Sequence, residues 1–168
     1  MTIKLTRRPI TVAAFLVFAL LSRNPKTRAQ YAGASITPGS TLTIPVAQVI
    51  QPEVLRHLLQ IGGVDRPLIL QVGSHLLYAE AHIPGSEYAG QGSQPSGLQQ
   101  LQNRVSSLSR KKPIVFYCGC CPWTRCPNLA PAFEKLHEMG FTNVKVLYLA
   151  DNFGADWANK GYPVEEGR

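Results

Sequence analysis

Short unbroken apolar runs alternate along the chain with amphipathic stretches, the pattern of a sheet whose strands are covered on both faces. Val46 to Ile50 reads as a first strand, and Leu68 to Val72, Ile114 to Tyr117 and Val144 to Leu149 as buried parallel strands, two of them entered through Pro67 and Pro113. Between them, Gln51-Pro52-Glu53 opens a helix whose apolar face is Val54, Leu55, Leu58 and Leu59, ended by Gly62-Gly63. Proline suits the first turn of a helix, and an acid suits its positive end. Leu98, Leu101, Val105 and Leu108 mark a second helix, closed by Arg110, Lys111 and Lys112 at its negative end. Leu129, Ala132, Phe133 and Leu136 mark a third, ended by Gly140. Tyr88-Ala89 reads as an edge strand and Ala155 to Asn159 as a short helical piece. Strands alternating with helices over short connections predict a three-layer α/β domain with a mainly parallel sheet.

Charge adds little to this picture once its location is known. The net charge of +7 comes from seventeen basic and ten acidic residues, but Lys4, Arg7, Arg8, Arg23, Lys26 and Arg28 lie within the first thirty positions. From Gln30 onward eleven basic residues face all ten acids, so no basic surface argues for nucleic acid. Lys4, Arg7 and Arg8 precede an apolar run from Ile10 to Leu21, and Thr27-Arg28-Ala29 offers a small-residue cleavage site. Residues 1–30 therefore read as a secretory signal peptide, with export to a periplasmic or extracellular space. The run is shorter than the ~20 residues a membrane span needs, so membrane attachment is expected only if the segment stays as an uncleaved anchor. Residues 31–45 are rich in Gly, Ala, Ser, Thr and Pro and read as a flexible linker, leaving 46–168 for the domain.

All four cysteines fall in one loop, Cys118-Gly119-Cys120-Cys121-Pro122-Trp123-Thr124-Arg125-Cys126-Pro127-Asn128, between the strand ending at Tyr117 and the helix beginning near Leu129. The carboxyl end of a strand facing the amino end of a helix is where open α/β sheets bind ligands. The field of that helix end is expected to hold a thiol below its ordinary pKa of about 8.5, so a thiolate is expected.

Five landmarks in order resemble the rhodanese-like domain of sulfurtransferases, over about Val46 to Glu166. They are the strand Leu68 to Val72, the segment from Tyr78 through His82-Ile83-Pro84-Gly85-Ser86, and the strand end Val115-Phe116-Tyr117-Cys118. Gly140-Phe141-Thr142-Asn143-Val144 and Trp157-Ala158-Asn159-Lys160-Gly161-Tyr162-Pro163-Val164 complete them. The resemblance implies a five-stranded, mainly parallel sheet with helices on both faces. It also implies a strand-ending cysteine, here Cys118, that carries sulfane sulfur as a persulfide from a small donor such as thiosulfate to a thiol or protein acceptor, without a cofactor. This chain departs from the family at three points. Gln71-Val72-Gly73 stands where the family commonly has Asp-Val-Arg; Trp123 stands five residues after Cys118, where an arginine is usual, with Arg125 two further on; and the loop is several residues longer, ending at Asn128-Leu129. Cys120 and Arg125 do have the family's separation, so a second register with Cys120 as nucleophile stays open.

Gly119, Pro122, Trp123, Thr124 and Arg125 make up the rest of the expected active-site loop, whose amides and Arg125 are the candidate donors to a persulfide anion. Cys120, Cys121 and Cys126 stand as alternative nucleophiles or resolving thiols. Cys118 and Cys121 form a Cys-x-x-Cys pair, which keeps a thiol-disulfide redox module open as a rival reading. A thiol- or metal-binding module without catalysis is the other rival, since clustered thiolates hold soft ions such as Cu(I) or Zn(II). Structural zinc sites usually draw ligand pairs from separated segments, so no metal ligand is assigned. Trp123 reads equally as a pocket wall or a packing residue, and His82 as a support for the turn at Pro84-Gly85.

Overall fold

Ile69 of strand β2 (Leu68–Gln71) lies beside Val115 of strand β4 (Ile114–Tyr117), and Gln71 beside Tyr117, so the two most apolar runs pair in parallel at the centre of the sheet. The computed structural model describes residues 44–63 and 66–167; the expected signal peptide and nearly all of the linker lie outside the described residues. β1 (Val49–Ile50), β3 (Glu87–Tyr88) and β5 (Val144–Leu147) complete a five-stranded sheet in the order β1-β5-β4-β2-β3, with every pairing parallel. The helices are α1 (Pro52–Ile61), α2 (His75–Glu80), α3 (Pro95–Val105), α4 (Leu129–Glu138) and α5 (Phe153–Asp156). None of the helices among the described residues is long and apolar enough to cross a membrane.

Side chains of a strand alternate between faces, and the two halves of the core follow that rule. Leu70, Ile114, Phe116 and Val146 pack with Leu101 and Val105 of α3 and with Leu129, Ala132, Phe133 and Leu136 of α4. Ile69, Val115, Tyr117 and Leu147 pack on the other face with Leu55 of α1, Phe153 of α5 and Trp157. Each fully buried Leu, Ile or Phe in these layers contributes about 1.5–3 kcal/mol relative to exposure. The result is the expected three-layer α/β arrangement.

Several element bounds shift for local reasons. Val46–Gln48 forms a 3-10 turn with Val46 88% exposed, so β1 begins only at Val49. Of the apolar face expected for α1, Leu55 is fully buried but Val54 and Leu58 are 51% and 41% exposed. α3 begins at Pro95 and ends at Val105. Arg110 lies beyond it, yet still donates to the Val105 carbonyl and places its guanidinium 4.5 Å from the Phe141 ring centre. The edge strand is Glu87–Tyr88 rather than Tyr88-Ala89. The terminal piece is α5 followed by a 3-10 turn at Ala158–Lys160, with Asn152 capping α5 through the Ala155 amide at 2.9 Å.

His82 and Trp157 fasten the carboxyl-terminal tail. The buried His82 ring stacks on Tyr78 with centroids 4.0 Å apart, sets Nδ1 2.8 Å from the Tyr78 carbonyl, and pairs backbone to backbone with Glu165. Trp157 is fully buried and donates its indole N–H to the Pro163 carbonyl at 2.8 Å.

Candidate functional site

β4 ends where its alternation places Cys118 on the α3/α4 face, continuing the line of Ile114 and Phe116. Tyr117, pointing the other way, fixes the strand end: its hydroxyl accepts the Ile83 amide at 3.2 Å and lies 3.3 Å from Ser86 Oγ. Burial pushes the Tyr117 phenol up to about 12, so it stays a neutral hydrogen-bonding group. Cys118 itself is 4% exposed.

The loop then folds the following cysteines back onto it. Cys120 Sγ is 3.0 Å from Cys118 Sγ, Cys121 Sγ is 3.7 Å from Cys118 Sγ, and the Cys120 and Cys121 sulfurs are 3.5 Å apart. All four cysteines are free thiols, and Cys126, at the end of the 3-10 turn Trp123–Arg125, packs half-buried against the same core layer as Cys118. Both registers left open by the sequence therefore describe one cluster.

Charge in this cluster runs against the expected thiolate. The Cys120 hydrogen bond pulls Cys118 down, but hydrogen bonding with Cys126, burial and repulsion from Cys126 push it above the ordinary thiol value overall. Cys120 is raised by its hydrogen bond to Cys118, by burial and by the Cys118 charge. Cys121 is pushed up to about 12, by burial first and then by the charges of its two neighbours, against a lowering hydrogen bond from Cys126. Thiols this close cannot all ionise, and that cost outweighs the field of the α4 amino end.

The expected anion donors are also rearranged. Thr124 and Arg125 are exposed, and among the described residues neither hydrogen-bonds a cysteine sulfur. The 3-10 turn carries Arg125 outward and uses its amide on the Pro122 carbonyl at 3.0 Å. The Trp123 amide is taken by the Ala150 carbonyl at 3.1 Å, and its ring sits half-buried with its centroid 5.1 Å from that of Tyr148. Trp123 is thus a packing residue that anchors the loop to the end of β5. Gly119 anchors it on the other side, its carbonyl accepting the Phe153 amide. One loop amide, that of Cys120, does favour charge on Cys118, and the Ser74 amide does the same for Cys120.

Three residues outside the expected set shape the site. Asn128, only 1% exposed, stands at the amino cap of α4 but leaves the helix uncapped and donates Nδ2 to Cys118 Sγ at 3.2 Å and to Cys120 Sγ at 3.6 Å. Gly73 lies against the sulfurs, such that a Cβ there would sit 3.1 Å from Cys118 Sγ and 3.4 Å from Cys120 Sγ. Gln71 accepts the Gly73 amide at 3.1 Å and donates to the Ser74 carbonyl at 3.4 Å, ordering that turn without a charge. The signals were present: an asparagine at a helix start, and a glycine where the resemblance calls for arginine. Cys120 forms part of the wall of a shallow hollow shared with Leu77 and Glu80 of α2 and Phe153 of α5, which gives the cluster its opening to solvent.

The comparisons agree with this architecture. The Rhodanese-like domain family model matches residues 51–149. The rhodanese-like domain of an Anabaena sp protein, solved in solution, is similar with a TM-score of 0.52 and 24% identity, over 71% of this chain and 79% of that one. A crystal structure of the same Anabaena protein gives 0.55 and 24%, over 70% and 92%. A crystal structure of a Bacillus halodurans protein gives 0.54 and 23%, over 70% and 76%. At these identities the likeness is one of fold. No curated protein matches the chain in sequence. Because the family match spans more than half of the chain, from the residue before α1 to just past β5, this chain belongs to the rhodanese-like domain family.

Proposed function

We propose that this domain transfers sulfane sulfur through a persulfide on Cys118. The observation that carries the reading is the place of Cys118, directly after the central strand β4 at the carboxyl edge of the sheet, with the Asn128 side chain donating to its sulfur at 3.2 Å. A thiolate on Cys118 attacks the outer sulfur of a donor such as thiosulfate; the donor S–S bond breaks, sulfite leaves with the bonding pair, and a persulfide remains. An acceptor thiolate then takes the outer sulfur and returns Cys118 as thiol.

Cys120, 3.0 Å away, provides a second exit. Its thiolate attacks Cys118 Sγ, hydrosulfide leaves, and a Cys118–Cys120 disulfide forms; the two thiol sulfurs are oxidised as the outer sulfur is reduced. An external thiol must then reset the pair. The hollow beside Cys120 is the approach for donor and acceptor. The basic and apolar leader composition supports export as the setting, where such a reductant would have to be supplied.

Peptide-mapped mass analysis of the reduced chain after incubation with thiosulfate or a polysulfide tests this. The expected result is one added sulfur on Cys118, absent in Cys118→Ser and accumulating in Cys120→Ser. Sulfur that loads on no cysteine, or that loads equally well in Cys118→Ser, overturns it.

A further inference from the structure

We infer that Cys118, Cys120 and Cys121 form a binding site for a single Cu(I) ion held by three thiolates. The inference stands on the sulfur triangle and not on sulfur transfer. The three Sγ atoms are 3.0, 3.5 and 3.7 Å apart, and this group contains only thiols, with no histidine or carboxylate in it. An ion at a metal–sulfur distance of about 2.3 Å in a trigonal site needs sulfurs about 4 Å apart. The triangle reaches that by opening less than ~1 Å per edge, which the half-buried Cys120 and Cys121 allow while Cys118 stays fixed by its strand.

The surroundings choose among soft ions. Asn128 Nδ2 approaches two of the sulfurs, and Gln71 Nε2 lies 3.0 Å from the position a Gly73 Cβ would take. Both are N–H groups; they offer no lone pair for a fourth bond, and instead suit a site with surplus negative charge. Three thiols and one monovalent ion give such a site, with three protons released and a net charge of −2. Structural zinc instead completes a tetrahedron. Cys126 falls outside the mutually close set of three. Soft thiolates take Cu(I), zinc and iron–sulfur clusters alike, and with three sulfurs in place of a tetrahedron's four this set fits Cu(I). Gly73 also gains a reason, because any side chain there, including the arginine the resemblance calls for, would start 3.1 Å from Cys118 Sγ and 3.4 Å from Cys120 Sγ.

Occupation would engage the Cys118 thiolate, so a bound Cu(I) and a persulfide exclude each other. The test is anaerobic titration of the reduced full chain with Cu(I) against the chromophoric chelator bicinchoninate, followed by X-ray absorption. One Cu(I) per chain is expected, with three sulfur scatterers at about 2.2–2.3 Å. Cys121→Ser should weaken binding by more than the roughly 10- to 100-fold expected of Asn128→Leu, which removes only the supporting donor. Circular dichroism verifies the fold of each variant, and copper binding is read with no sulfur donor present, which separates this site from the transfer reaction. The inference is overturned if the chelator keeps the copper, if Cys121→Ser binds as tightly as wild type, or if Zn(II) with four sulfurs is retained against Cu(I).

Discussion

Asn128 holds Cys118 from one side, with Nδ2 3.2 Å from the sulfur, while its Oδ1 accepts the Ser93 amide at 2.9 Å. The segment before α3 is thereby locked to the cysteine loop. Gly92 allows the approach, since a Cβ there would lie 2.2 Å from the Asn128 carbonyl oxygen. An amide of this kind does two things at once: it orients a thiol, and it satisfies a backbone group from a different part of the chain.

Asn128→Ala removes both contacts and leaves the part-buried Ser93 amide unpaired. A cost of about 1–3 kcal/mol is expected for an unsatisfied donor. Asn128→Asp keeps the acceptor for Ser93 but faces Cys118 with a carboxylate, so it should recover most of the stability while slowing sulfur loading at pH 7. Denaturant unfolding and the loading assay on the two variants separate the roles; equal stability of Asn128→Ala and wild type contradicts the packing account.

Gly73 is required by the thiols rather than by its backbone angles. Gly73→Ala meets Cys118 Sγ at 3.1 Å and Gln71 Nε2 at 3.0 Å, a squeeze of a few tenths of an ångström. Gly73→Val overfills the space, with an expected cost of about 1–3 kcal/mol. The sharper readout is capture by a trivalent arsenical, which needs two thiols close together: wild type should bind it, Gly73→Ala more weakly and Gly73→Val weakest. Undiminished capture by Gly73→Val would show that the sulfurs do not depend on that space.

The layers were legible in the sequence because Leu68 to Val72 and Ile114 to Tyr117 are long enough to state their burial outright, and because Leu129, Ala132, Phe133 and Leu136 keep helical spacing to the end. The start of β1 and the exposed side of α1 were not, since a two-residue edge strand leaves little pattern. The position of Cys118 directly after the central strand was legible from the end of the apolar run at Tyr117. Its charge state was misread because the helix-end field is a local property of the sequence, whereas the opposing influences, contact with Cys126 and burial, arise only after the loop folds back. Asn128 was hidden by its residue type, which at a helix start suggests a cap. Arg125 was credited by spacing alone, and the 3-10 turn rotates it to solvent.

Glu87 and Arg104 join the edge strand β3 to α3 through a two-pronged ion pair, with Nη2 2.8 Å from Oε1 and Nε close to Oε2. The Arg104 hydrogen bonds hold the Glu87 carboxyl below its ordinary value against a small burial penalty. Such stability is present above the unfolded glutamate pKa of about 4.3 and is lost as pH falls through the lower folded value. Both side chains are more than a third exposed, so solvent screening limits the pair to roughly 0.2–1 kcal/mol. Glu87→Gln should be less stable than wild type by that amount at pH 7 and equal to it below about pH 3, with the gap narrowing in 1 M salt. Urea unfolding at the two pH values measures it, and a gap that persists in acid assigns the effect to packing.

The opposite sign holds for Cys118, Cys120 and Cys121, whose folded values are raised. Folded thiols keep protons that the unfolded chain releases above its ordinary thiol pKa of about 8.5, so stability should fall as pH rises through that range. Reactivity should follow the same order: alkylation of Cys118 in the reduced protein is expected to lag that of a free thiol at pH 7 and to rise on the alkaline side of it. The neighbours predict how variants move that midpoint. Cys126→Ala removes a contact that raises Cys118 and should shift its alkylation profile to lower pH. Cys120→Ala removes the contact that lowers it and should shift the profile upward. Iodoacetamide rates followed by peptide mapping across pH 6 to 10 read all three proteins. Profiles that coincide, or shifts in the reverse order, mean that the field of α4 and not the thiol cluster sets the charge of Cys118.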